Sequence, residues 1–94
     1  MNAPLNYLTQ LPNLGKTLAV KLIQAGIHNP IELQSAGAEN AFLRIRAIDP
    51  DACLNMLLAL EGAIQGIRWH NLDPSRKEEL KAFFRMAEKQ PGKA

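Results

Sequence analysis

Residues 52–67 read ACLNMLLALEGAIQGI, an apolar segment interrupted only by Asn55, Glu61 and Gln65 among its polar positions. It falls short of the roughly 20 residues needed to cross a bilayer, and it lacks the period-2 alternation of a half-buried strand. The segment therefore predicts a core helix over Ala52–Gln65. A helix that is apolar on nearly every face must be surrounded, and a chain of 94 residues has room for one core around it.

Three features of this helix carry expectations. Glu61 shares the face of Leu54, Leu57 and Leu58 and is the only charge within the segment. A buried carboxylate needs a partner, and Arg44, Arg46, Arg68 or the exposed amides of a helix start are the candidates; the alternatives place its head in water at the rim or give it a catalytic or ligand role. Asn55, Ala59, Gly62 and Gly66 follow i, i+4, i+7 and i+11, a strip of small side chains that predicts close packing, with an internal helix as the expected neighbour. Gly62 costs a helix about 1 kcal/mol relative to alanine, which a close approach would explain. Cys53, among apolar neighbours, is expected to be a buried, inert thiol.

Outward from the core helix, an N-cap residue followed by proline occurs at Asn29-Pro30, Asp49-Pro50 and Asp73-Pro74, and each pair predicts a helix start. Glu32 stands three residues after Asn29 in the spacing of a capping box, and Gly26, Gly37 and Gly66 mark helix ends. The resulting helices are Lys16–Ala25, Pro30–Ala36, Ala38–Ala47, Ala52–Gln65 and Pro74–Lys89, with a further short turn over Leu5–Gln10. The first carries an apolar stripe at Gly15, Leu18, Ala19, Leu22 and Ile23, and the last carries one at Leu80, Phe83, Phe84 and Ala87. The fold class is all-α, a compact bundle of about five helices forming one domain over residues 5–89. Residues 1–4 and 90–94 are expected to fray.

Composition is that of a folded globular chain, with 47% hydrophobic and 21% charged residues. One cysteine excludes an intrachain disulfide, and the opening MNAPLNYL has no signal-peptide pattern, so a cytoplasmic location without membrane association is expected. His28 and His70 lack metal-ligand spacing to other donors, and neither a Ser/His/Asp signature nor a phosphate-cradling glycine loop is present. These readings lead to the expectation of no enzyme, no metal, no cofactor and no small-molecule substrate.

Net charge is only +2, but it is unevenly distributed: residues 67–94 hold seven basic and four acidic side chains, against four and five in residues 1–66. Lys77, Lys81, Arg85 and Lys89 recur every four residues along the last helix. This row is either a solvated face, partly neutralised by pairs such as Glu78 with Lys81, or a docking surface for nucleic acid or an acidic protein.

The segment LPNLGKTLAVKLI, Leu11–Ile23, resembles the helix-hairpin-helix motif, with Asn13 where that family usually has its first hairpin glycine. The resemblance implies an amino-terminal part that offers helix-start amides, here of Gly15, Lys16 and Thr17, together with Lys21, to a DNA phosphate without reading sequence. A wider match combines LPNLG, AGIHNPIELQSAGAENAFLRIR, LNMLLALEGAIQG and Trp69. Over Leu8–Met86 the chain resembles the carboxy-terminal domain of the TfoX/Sxy family of bacterial competence regulators, and it is expected to be that domain standing alone, without the amino-terminal domain of longer members. Glu61, Gly62 and Trp69 are then structural positions. The resemblance implies a non-enzymatic interaction domain linked to regulation of DNA uptake or transcription, through weak non-specific DNA contact or a transcription-related protein. The alternative is a protein-binding module that does not touch DNA.

Overall fold

Proline and a capping side chain set two of the three expected helix starts. In the computed structural model, which describes residues 3–89, Asn29 is extended (φ −157°, ψ 168°) and its side chain accepts from the Glu32 N–H at 2.9 Å, opening the helix Pro30–Ala36. The reciprocal half of the capping box is displaced by one residue: the Glu32 carboxylate accepts from the N–H of His28, not of Asn29, at 2.7 Å. Asp73 opens Pro74–Lys89, accepting from the Ser75 N–H at 3.2 Å.

The third pair behaves differently. Asp49-Pro50 begins no helix; Asp49 ends the preceding one, and the Ala52 N–H donates back to the Asp49 carbonyl at 3.0 Å to close a turn. Proline suits the second position of such a turn as well as it suits a first helical position, so the dipeptide alone does not separate the two. The core helix consequently starts at Leu54. Cys53 becomes its extended N-cap (φ −115°, ψ 171°) and is exposed, contrary to the buried thiol expected of a helical position 53.

The described residues form six α-helices and one 3₁₀ turn, with no strand: α1 Ala3–Thr9, α2 Lys16–Gln24, α3 Pro30–Ala36, α4 Ala38–Ile48, α5 Leu54–Gln65, the 3₁₀ turn Trp69–Asn71, and α6 Pro74–Lys89. The architecture is all-α, as the periodicities predict, with α1 a full helix in place of a short turn. Of the termini expected to fray, residues 1–2 and 90–94 lie outside the described residues, whereas Ala3 and Pro4 begin α1, where a proline needs no amide partner.

Helix α5 forms the centre, with α4 and α6 against it and α3 touching it, while α1 pairs with α2 and α2 reaches α4. Leu57 and Leu60 are fully buried in this core, together with Leu8 from α1, Leu22 from α2, Phe42 from α4 and Leu80 from α6. The Phe42 and Phe84 rings meet in a tilted pair with centroids 5.8 Å apart, which fixes α6 on α4.

Candidate nucleic-acid interface

Asn13 organises the end of the molecule where the hairpin lies. Its φ of 71° is the left-handed value that glycine adopts freely and that asparagine tolerates best among the other residues. This conformation turns the chain between α1 and α2 and aims the side-chain amide into the protein. There Nδ2 donates to the Ile67 carbonyl at 2.9 Å and Oδ1 accepts from the Trp69 N–H at 3.1 Å. The amide thus acts as a surrogate peptide group, holding the loop after α5 as a neighbouring strand would.

Gly62 makes room for this arrangement. A Cβ there would collide with Asn13 Nδ2, lie 2.8 Å from the Ile67 carbonyl oxygen and lie 3.1 Å from Trp69 Cα. The small-residue strip therefore receives a side chain and the chain's own returning loop, not the crossing helix that its spacing predicts. Gly62 is where this contact falls; Asn55 and Gly66 are exposed, Ala59 is buried, and Gly66 serves as the left-handed C-cap of α5 (φ 76°).

From this clamp the hairpin runs into α2. Gly15 is the extended N-cap (φ −83°, ψ 179°) with no side-chain cap, and Gly15, Lys16 and Thr17 are all exposed. The first amides of a helix have no intrahelical partner, and the helix dipole makes that end positive. Lys21 does not join them. Its ammonium lies 2.8 Å from Asp49 Oδ2, tying α2 to the end of α4, and this hydrogen bond holds the Asp49 carboxyl below its ordinary range.

On the other side of the clamp, Arg68 and His70 are exposed and Trp69 is half-buried. The imidazole of His70 stacks on the Trp69 indole with centroids 4.0 Å apart and planes 28° from parallel. Lys77 of α6 reaches the same turn, donating to the His70 carbonyl at 3.0 Å with its ammonium 5.9 Å from the indole centroid. The four-residue row on α6 is therefore not uniform. Lys77 is committed to the Trp69 turn, Lys81 lies 3.5 Å from Glu78, and Arg85 and Lys89 are exposed farther along a helix that rises about 1.5 Å per residue.

Glu61 is buried, and its partner is Arg76 rather than Arg44, Arg46 or Arg68. Arg76 Nη2 lies 3.0 Å from Glu61 Oε1, and Gln65 donates to the other carboxylate oxygen. The same guanidinium binds Glu39 of α4 through both terminal nitrogens at 3.0 Å and Glu79 at 3.1 Å. The hydrogen bonds from Arg76 hold the Glu39 carboxyl below its ordinary range, while Glu61, then Glu39, stabilise the charged guanidinium. This network locks α4, α5 and α6 together and leaves no buried side-chain polar atom unpaired among the described residues.

The Asn13 clamp thus joins the hairpin that carries Gly15, Lys16 and Thr17 to the turn that carries Arg68 and His70, which Lys77 also contacts, whereas Lys21 is engaged by Asp49 and Lys81 by Glu78. Sequence reasoning missed the inward role of Asn13 and the place of Arg76. The usable signals were an asparagine at a glycine position and an arginine four residues before Leu80, in line with the buried stripe.

Comparison with known proteins agrees with this architecture. A crystal structure of an uncharacterized protein from Listeria monocytogenes, in a triclinic form, is 53% identical and superposes with a TM-score of 0.85, covering 86% of this chain and 92% of that one. A tetragonal form of a Listeria monocytogenes protein of unknown function is likewise 53% identical, with a TM-score of 0.82 over 84% of this chain and 98% of that one. No functionally curated protein matches. The family model for the TfoX C-terminal domain matches residues 5–84, from α1 into α6, and so takes in the hairpin, the core helix and the Trp69 turn. The chain belongs to the TfoX C-terminal domain family.

Proposed function

We propose that the protein is a non-enzymatic interaction domain of the cytoplasm, acting in the regulation of DNA uptake or transcription, and that its hairpin end holds nucleic-acid backbone weakly and without sequence preference. The observation that carries this reading is the uncapped, exposed start of α2 at Gly15–Thr17, set by the Asn13 clamp beside the exposed Arg68. Backbone amides at a helix start suit a phosphate oxygen, and Lys16 and Arg68 supply charge.

Fluorescence anisotropy with labelled DNA tests the reading. Dissociation constants of about 10⁻⁴ to 10⁻⁶ M, indifferent to sequence and rising steeply with salt, are expected, and Lys16→Glu should weaken binding further. No binding at about 50 mM salt and high protein concentration would remove the nucleic-acid reading.

A second reading, a protein-binding module for a transcription-related partner, is favoured by one patch. Tyr7 and Ile31, 52% and 73% exposed, line a shallow apolar groove with Asn29 and Pro30. Recovery of partners from lysate with and without nuclease separates the two, since a protein partner survives the treatment.

A further inference from the structure

We infer that the His70–Trp69 stack is a base-stacking platform and that the nucleic acid held at the hairpin end is single-stranded, an inference that rests on the backbone-binding reading above. Three observations converge on this turn. The first is the stack itself: Trp69 lies against one face of the imidazole, and His70 is an exposed residue. An exposed flat aromatic ring suits a nucleobase, and every base has a π-face to offer it.

The second observation is rigidity. The Trp69 N–H is held by Asn13 Oδ1 at 3.1 Å and the His70 carbonyl by Lys77 Nζ at 3.0 Å, so the backbone of both residues is tied to elements outside their own short turn. A platform held in place before binding loses little freedom when a base arrives.

The third observation is charge. Arg68 precedes the pair in sequence and is exposed, Lys77 lies beside the indole, and Lys16 is on the hairpin that Asn13 joins to the turn. The nearby carboxylate of Asp73 is engaged in capping α6 through Ser75. A strand that lays its phosphates along Gly15–Thr17 and Arg68 can place a splayed base on His70. In a duplex the bases are stacked on one another and their faces are unavailable, so the platform selects the single strand.

Trp69 is the only tryptophan of the chain, and its emission therefore reports on this site alone. The experiment titrates the full chain with an oligothymidylate and with a duplex of equal length, following both anisotropy of the labelled DNA and tryptophan emission. The expected result is tighter binding of the single strand, a change of Trp69 emission in step with it, and a loss of single-strand affinity of at least about fivefold in His70→Ala with little change for the duplex. His70→Phe, which keeps a stacking ring, should restore the affinity, and circular dichroism confirms that both variants fold. If the duplex binds as well as the single strand, or His70→Ala weakens both alike, the platform is refuted while backbone binding stands. If neither DNA binds, both readings fall together.

Discussion

The side-chain amide of Asn13 and the backbone N–H of Trp69, 56 residues apart in sequence, are hydrogen-bonded at 3.1 Å, and the contact lies directly over Gly62. Replacing glycine by alanine inside a helix ordinarily stabilises it by about 1 kcal/mol. At position 62 the added methyl meets the Ile67 carbonyl at 2.8 Å, and backbone yields less readily than a flexible side chain. Gly62→Ala should therefore destabilise the protein, because overpacking costs about 1–3 kcal/mol and outweighs the helix gain. Urea denaturation reads the sign directly, and a stabilised variant would show that the loop moves aside freely.

Substitutions at Asn13 separate backbone conformation from hydrogen bonding. Asn13→Gly keeps the left-handed turn but leaves the Ile67 carbonyl and Trp69 N–H without their partner, a loss of about 1–3 kcal/mol. Asn13→Ala adds the cost of a Cβ in the left-handed region, about 1–2 kcal/mol more. The expected order of stability is Asn, Gly, Ala; equal stability of Gly and Ala variants would mean that the turn relaxes to another conformation.

Arg76 neutralises a buried carboxylate, so Arg76→Met should destabilise by about 3 kcal/mol, the lower end of the range for a broken buried pair because its side chain is 26% exposed. Adding Glu61→Leu should recover much of the loss, since the carboxylate left behind is then gone. A double-mutant cycle measures this coupling, and strict additivity would contradict it.

Acid should weaken the Arg76 network together with two separate contacts, of Asp49 with Lys21 and of Asp73 with Ser75. Glu39, Asp49 and Asp73 are held below their ordinary range in the folded protein by Arg76, Lys21 and Ser75. Their stabilisation is fully present above the unfolded carboxylate range, about pH 4, and is lost as pH falls through the lower folded values. Denaturation midpoints should stay level from neutrality to about pH 5 and then decline, less steeply in Arg76→Met, where Glu39 has lost its partner. An unchanged acid limb in that variant would remove Glu39 from the account.

The outer part of the α6 row tests whether exposed charge matters to the fold. Reversing Lys81 and Arg85 to glutamate should change stability by less than about 1 kcal/mol and leave helix content by circular dichroism unaltered. A loss of several kcal/mol would show that these side chains hold structure that their exposure does not suggest.

Local signals made most of the helices readable. Pro30–Ala36 and Pro74–Lys89 begin and end where their caps and stripes predict, because an N-cap and a helical period are properties of neighbouring residues. Asp49-Pro50 misled because a turn and a helix start share that dipeptide, and the shift of the helix start to Leu54 carried Cys53 from the expected interior to the surface. The candidate site was legible on its hairpin side, at Gly15–Thr17. Its other half was not, since the pairing of Asn13 with Ile67 and Trp69 and of Glu61 with Arg76 depends on how helices dock. Lys21 shows the converse: its placement on α2 follows from the sequence, but its engagement by Asp49 comes only from the α2–α4 packing.

The Asn13 clamp also bears on how the native state is reached and how long it lasts. Helix pairs such as α1 with α2 and α3 with α4 are neighbours in sequence and can form early, whereas the clamp must wait until a loop of more than 50 residues has closed. Interactions made after the rate-limiting step leave the refolding rate nearly untouched and govern escape from the folded basin. If the clamp closes after that step, the bond between the hairpin and the Trp69 turn acts mainly on the lifetime of the assembled domain, and its loss appears as faster unfolding of a chain that still refolds at its usual speed.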